Sequence, residues 1–150
     1  MTATILDGVA IAEQLRAEVA VGVKTRLEGG QSRPGLATVL VGDNPASHVY
    51  VKSKRKASAE VGIESYGYEL PVSASQTEVE ELVRSLNQDP KVNGILVQLP
   101  LPPGMDEERV LNAVSIEKDV DGFHPLNIGR LAQKGRDPLF IPCTPAGVMY

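Results

Sequence analysis

The sequence predicts an α/β fold, a mostly parallel sheet flanked by helices in three layers. Two patterns predict it. Short, continuous apolar runs alternate with segments of helical periodicity, and turn-forming residues close almost every segment. With 150 residues, 42% of them hydrophobic, the chain can bury one sizeable core.

Gly8 to Glu28 reads as a helix, because Ile11, Leu15, Val19, Val23 and Leu27 recur every fourth residue. Gly29-Gly30 stops it, and a turn-rich link follows. Leu36 to Val41 is continuously apolar apart from Thr38, the pattern of a strand buried on both faces. Asn44 can cap a second helix with Pro45 at its first position, and Gly62 ends it. Ile63 to Leu70 reads as a second strand.

Ser75 and Glu78 have capping-box spacing, ahead of a stripe of Val79, Leu82, Val83 and Leu86. Ile95 to Val97 is a third buried strand, which Pro100, Pro102 and Pro103 keep from continuing. Asp106 can cap a short helix carrying Val110, Leu111 and Val114. Thr144-Pro145 starts a further helix, too short to be stable without partners. A larger protein is therefore expected to continue past Tyr150.

Composition removes several classes of function. A formal charge of −4 and an aromatic content of 4% disfavour nucleic-acid binding and base stacking. No apolar run is long enough to span a bilayer, and no secretory signal is recognisable, so no membrane association is expected. The single cysteine, Cys143, fits a reducing compartment, and a cytoplasmic protein is the expectation. Cys143 reads as a small packed residue. With only His48 and His124 and no histidine–cysteine cluster, no zinc site is expected, and each histidine reads as a local hydrogen-bonding group. Asp119 and Asp121 have the spacing of metal ligands, but no further acidic residue follows at calcium-loop positions, so no metal is expected.

Three places could carry chemistry. In Tyr50-Val-Lys-Ser-Lys54-Arg-Lys56, residues four apart share a helix face, which aligns Ser47, Tyr50 and Lys54. Lys52 and Lys56 fall on roughly the opposite side. Spacing alone reads the three lysines as a solvated face. The alternative is a lysine beside an aromatic platform, able to act as acid or base if its surroundings favour the neutral form. Gln98 directly follows the third apolar run, at the carboxyl end of a strand, where open parallel sheets bind ligands. It reads equally as a solvent-exposed strand cap. The loop Lys118 to Pro125 is the third place. Neither G-x-G-x-x-G nor G-x-x-x-x-G-K-[ST] occurs, so no dinucleotide or phosphate loop is present in this sequence.

Four ordered blocks also resemble the bifunctional methylenetetrahydrofolate dehydrogenase/cyclohydrolase (FolD) family. They are Tyr50-Val-Lys-Ser-Lys54-Arg-Lys-Ala with Val61-Gly62-Ile63; Gly94-Ile-Leu-Val-Gln98-Leu-Pro100-Leu-Pro102; Lys118-Asp-Val-Asp121-Gly-Phe-His-Pro125 with Asn127-Ile-Gly-Arg-Leu131; and Pro142-Cys-Thr-Pro145. The resemblance implies the amino-terminal catalytic domain of a two-domain enzyme. Residues 1–143 would form the folate-binding domain, and 144–150 would begin the helix leading to a Rossmann-type domain outside this sequence.

It further implies oxidation of methylenetetrahydrofolate by NADP, with the cofactor held mainly by that second domain, then hydrolysis to formyltetrahydrofolate, in support of purine and amino-acid biosynthesis. Lys54, Gln98 and Tyr50 would be the catalytic residues. Tyr50, Lys54, Val97, Gln98, Leu99 and Asp121 would bind the folate substrate. Tyr50 would stack on the pterin, Asp121 would accept its N–H donors, and Gln98 would hold Lys54. Lys54 must be neutral part of the time to take a proton from attacking water. A homodimer is implied for the complete enzyme. The alternative is a folate-binding module without dehydrogenase activity. The 150 residues alone are expected to keep the folate-side fold without oxidising the substrate.

Overall fold

The computed structural model describes residues 6–149. The elements run α1 (Gly8–Glu28), β1 (Gly35–Val41), α2 (Pro45–Glu60), β2 (Glu64–Leu70), α3 (Gln76–Gln88), β3 (Gly94–Val97), α4 (Glu107–Ala113), a 3₁₀ turn (Ile116–Lys118), α5 (Pro125–Leu131) and α6 (Cys143–Met149). The three strands form one parallel sheet in the order β2-β1-β3. The sheet and its flanking helices confirm the α/β class.

β1 is central and must be apolar on both faces, as its sequence is. Ala37, Val39 and Val41 join Ile95 and Val97 of β3 on one face, against Val79, Val83 and Leu86 of α3 and Val110 of α4. The opposite face carries Thr38, which meets Arg55 from α2. The core therefore lies chiefly between the sheet and α3–α4, and α2 covers the other side.

The expected caps form. The Asn44 side chain accepts hydrogen bonds from the N–H groups of Ala46 (3.0 Å) and Ser47 (3.2 Å), satisfying donors that a helix start leaves without partners. Ser75 and Glu78 form the reciprocal capping box, and Asp106 caps α4 through the N–H of Arg109. Gly62 has φ +85°, the left-handed conformation that ends α2 at little steric cost.

Two elements depart from expectation. The α1 stripe exists, but of it only Val23 is buried, and Val19 keeps 44% of its surface exposed. The helix leans on the end of α2 through Leu15 and Val19 beside Ala57 and Val61, a footprint shorter than its own length. Residues 125–131, which periodicity did not single out, form α5. Pro125 at its first turn and the His124 ring nitrogen, which accepts from the Leu126 N–H at 3.1 Å, start it.

Glu80 is a buried carboxylate joining two helices. It accepts from Gln76 Nε2 (2.8 Å) and Arg84 (2.6 Å) on α3 and pairs with Arg109 of α4 (2.9 Å). The Gln76 hydrogen bond, then Arg84, hold its carboxyl below the usual range, with desolvation opposing them. A carboxyl whose folded pKa is depressed stabilises above its unfolded pKa and loses that contribution as pH falls through the folded value. Glu80→Gln is therefore expected to lower the melting temperature at neutral pH and to leave a shallower acid dependence below the usual carboxylate range. Melting curves from pH 7 down to pH 2 check this; parallel curves for the two proteins would show that Glu80 contributes no linkage. Asn44→Ala should cost about 1 kcal/mol, read by denaturant unfolding at neutral pH.

Candidate functional site

Three parallel strands in the order β2-β1-β3 bring their carboxyl ends to one edge, where the chain turns away and leaves backbone and side chains facing a common space. Val39 lies opposite Val97 in the register, and the Gln98 N–H donates to Val39 O at 2.9 Å. Gln98 is thus held to the central strand just beyond the end of β3. Its side-chain Nε2 donates to Leu99 O at 2.6 Å. That bond orients the amide, so Oε1 faces α2 and accepts from Lys54 Nζ at 3.3 Å.

α2 supplies the lysine because its cap and its packing fix its start and its height on the sheet. Lys54 is half-buried, whereas Lys52 and Lys56 are exposed, and Lys56 pairs with Glu60 in its own helix. The solvated reading thus holds for Lys52 and Lys56 and fails for Lys54. Lys54 and Gln98 line a cavity of about 330 Å³ together with Val97, Leu99, Asp121 and Phe123. The wall opposite β3 is built by Pro142 and the first residues of α6, Cys143, Thr144 and Pro145.

Asp121 comes from the loop after the 3₁₀ turn. Burial pushes its carboxyl above the usual range; the Lys54 charge opposes this and the Asp119 charge adds to it. The cavity thus holds an ammonium and a partly buried carboxylate within electrostatic reach of each other, with an amide fixed beside the ammonium. Such a set can accept paired N–H donors at one end and exchange a proton at the other.

Five of the six expected site residues, Lys54, Val97, Gln98, Leu99 and Asp121, meet in this cavity. Tyr50 does not line it. It lies one turn before Lys54 on α2, with 61% of its surface exposed. Ser47, on the same nominal face, is buried, so that face runs from the interior out to solvent.

Cys143 is a correction. It is exposed and lines the cavity, rather than being packed away. Phe123 and Pro142 were also missed, since neither has a spacing that marks it. Asp119 turns inward, away from the role of a metal ligand beside Asp121. Its oxygens accept from the N–H groups of Phe123 (3.2 Å) and His124 (2.8 Å) and from Asn127 Nδ2 (2.8 Å). Among the described residues no group of three or more histidine, cysteine, aspartate or glutamate side chains could hold a metal ion, and no helix is long and apolar enough to cross a membrane.

Similarity to known proteins agrees with this geometry. Residues 6–121 match the family model described as tetrahydrofolate dehydrogenase/cyclohydrolase, catalytic domain. The bifunctional protein FolD 2 of Arabidopsis thaliana is 55% identical over 148 residues, which are 99% of this chain and 50% of that protein. The chloroplastic bifunctional protein FolD 4 of the same plant is 55% identical over 97% of this chain and 40% of its own length.

Among solved structures, the bifunctional FolD enzyme of Campylobacter jejuni superposes with a TM-score of 0.90 at 44% identity, over 97% of this chain and 51% of its own. The Trypanosoma brucei FolD, complexed with NADP and an inhibitor, gives 0.92 at 37% identity, over 99% of this chain and 51% of its own. This chain spans about half the length of the relatives it matches. With the catalytic-domain match covering most of its residues, among them Lys54, Gln98 and Asp121 of the cavity, the chain belongs to the tetrahydrofolate dehydrogenase/cyclohydrolase family, within that family's catalytic domain.

Proposed function

We propose that this chain is the folate-side catalytic domain of a protein that oxidises 5,10-methylenetetrahydrofolate with NADP and hydrolyses the methenyl product to 10-formyltetrahydrofolate. The observation that carries the reading is the Lys54–Gln98 pair in one cavity with Asp121. The cavity's volume, about 330 Å³, suits a single ring system of a small ligand. Residues 1–143 form the folate domain in this reading, and 144–150 begin the connection to a second domain.

In hydrolysis, water adds to the methenyl carbon and loses a proton to Lys54 Nζ. The hydroxyl proton then passes to N5 as the carbon–N5 bond breaks, and the formyl group stays on N10. Gln98 Oε1 holds the amine at the place where that proton is taken. Asp121, when ionised, accepts the pterin's edge N–H groups and fixes the ring's orientation. Val97 and Leu99 bound the same space. Tyr50, exposed in the free domain, offers its ring to the pterin once substrate is bound.

For the dinucleotide, no strand–turn–helix with a glycine-rich turn occurs among the described residues. The one glycine between β1 and α2, Gly42, leads into a helix start whose first N–H groups are taken by Asn44. These residues do not fit a pyrophosphate, and the hydride step is assigned to the complete protein. A homodimer and a cytoplasmic location complete the reading; the single thiol is consistent with the latter.

Lys54→Ala in the complete protein is expected to lower the rate of methenyl hydrolysis by about 10²–10⁴-fold, followed by loss of the substrate's absorbance. Hydrolysis comparable to wild type at saturating substrate removes Lys54 from the chemistry. Lys52→Ala and Lys56→Ala, both on the exposed side, should change it far less.

Asp121→Ala removes a charge-assisted contact worth about 2–5 kcal/mol when desolvated, so tetrahydrofolate affinity should fall steeply in calorimetric titration. Because burial raises the pKa of Asp121, wild-type affinity should decline as pH drops, starting above the usual carboxylate range. The Asp121→Ala protein should show no such decline. A dissociation constant that Asp121→Ala leaves unchanged takes this residue out of the site.

A further inference from the structure

We infer that Asp119 and Asn127 are positioning residues, which fix the spacing between the Asp121 loop and the opposite wall of the folate cavity. The inference rests on the folate reading of that cavity. Asp119 is 4% exposed and Asn127 is fully buried, and neither lines the cavity. Together they form a continuous path of hydrogen bonds from the sheet to the wall. The backbone of Asp119 bridges to Ile95 of β3, so the path starts on a strand.

From there the Asp119 carboxylate gathers the loop, accepting from Phe123 N–H and His124 N–H and from Asn127 Nδ2. Three N–H donors thus satisfy this buried side chain. Asn127 continues the path. Its Oδ1 accepts from Leu139 N–H at 2.9 Å and, at a longer 3.5 Å, from Phe140 N–H. Those residues lead directly into Pro142 and the start of α6, which form the wall.

Gly122 allows the two segments to touch. It has φ +69°, and a Cβ there would lie 2.8 Å from Pro142 N and 2.9 Å from Phe140 O, both main-chain atoms that cannot step aside alone. Asp121 is therefore enclosed by anchored neighbours: Asp119 bonded beneath it, Gly122 pressed against the wall segment, and Asn127 joining the two. A contact with a pterin edge requires donor and acceptor to match within fractions of an ångström. Leaving a buried amide's partners unmatched shifts that geometry, because buried polar groups do not stay unpaired.

The test is a double-mutant cycle in the complete protein, with tetrahydrofolate as the titrated ligand and melting curves to confirm folding. If Asn127 acts through Asp121, Asn127→Ala weakens binding about tenfold in the wild-type background and by no more than about twofold in the Asp121→Ala background. A purely structural role would give the same factor in both. Methenyl hydrolysis supplies a second readout: Asn127→Ala should raise KM while kcat, which depends on Lys54 and Gln98, changes much less. Should Asn127→Ala fail to fold, Leu139→Pro cuts the same path at its far end. It removes the nearer of the two donated N–H groups and fixes φ at a residue whose side chain is exposed, and is expected to show the same coupling to Asp121. Equal factors in the two backgrounds, or affinity unmoved by the variant that folds, overturn the inference. Wild-type protein that fails to bind tetrahydrofolate overturns the folate reading itself, and this inference with it.

Discussion

Every feature of the site depends on the pairing of β3 with β1. β1 is buried on both faces, and β3 is only four residues long. Their register sets Val97 opposite Val39 and lets the Gln98 N–H reach Val39 O. One residue of slip would move Gln98 along the sheet and turn its side chain away from Lys54. Gly94 contributes at the start of the strand, where a side chain would meet Val120. The segment that carries Asp119 and Asp121 can therefore lie against β3. The strand that presents the amide thus also locates the carboxylate.

The charges near this edge are treated in three different ways. Lys54 is half-buried and has a neutral hydrogen-bond partner in Gln98 Oε1. Asp119 is enclosed by N–H donors, and its role is to hold the loop. Desolvation raises the pKa of the Asp121 carboxyl, the Lys54 charge counteracts this, and the Asp119 charge adds to the rise. A carboxylate in that position gains more from an incoming pair of N–H groups than a solvated one would. The two aspartates of Lys118-Asp-Val-Asp121 are two residues apart and do different work, because the loop turns one inward and the other into the cavity.

Much of this was legible in the sequence, for physical reasons that can be named. Strands buried on both faces leave unbroken apolar runs, so β1 and β3 could be read directly. Caps use side chains within three residues, so Asn44, Ser75 and Asp106 were legible too. Contacts of long range were not. Nothing near Asn127 announces that it is fully buried and holds Leu139; that requires the chain to return across it. The apolar residues of α5, Leu126, Ile128 and Leu131, are exposed and form no stripe that packs on the core, so periodicity does not mark it. The stripe on α1 is real, yet periodicity reports which residues share a face and not how much of that face is covered. Tyr50 illustrates the same limit: spacing put it on one face with Lys54, yet it is exposed and does not line the cavity that Lys54 lines.

Helix spacing separates Lys54 from Lys52 and Lys56, and a fourth cation on α2 fixes which of the two faces meets the sheet edge. Arg55 reaches down from α2 to the sheet, where its Nε donates to Thr38 Oγ1 on β1 (3.2 Å) and its NH1 pairs with Glu69 on β2 (3.0 Å). It passes directly over Gly67, where any side chain would collide with the guanidinium. A helix resting on a sheet by apolar contact alone could slide or roll at small cost, since those contacts are non-directional. The bonds of Arg55 are directional and join two strands, so they set both the height and the rotation of α2. With Arg55 turned down onto β1 and β2, the residue before it is rotated by about 100° around the helix, toward β3 and the end of Gln98. Lys52 and Lys56 are carried to the solvent side by the same rotation. The selection of one lysine from three is thus a consequence of how its neighbour is anchored, and the chemistry available to Lys54 follows from that placement.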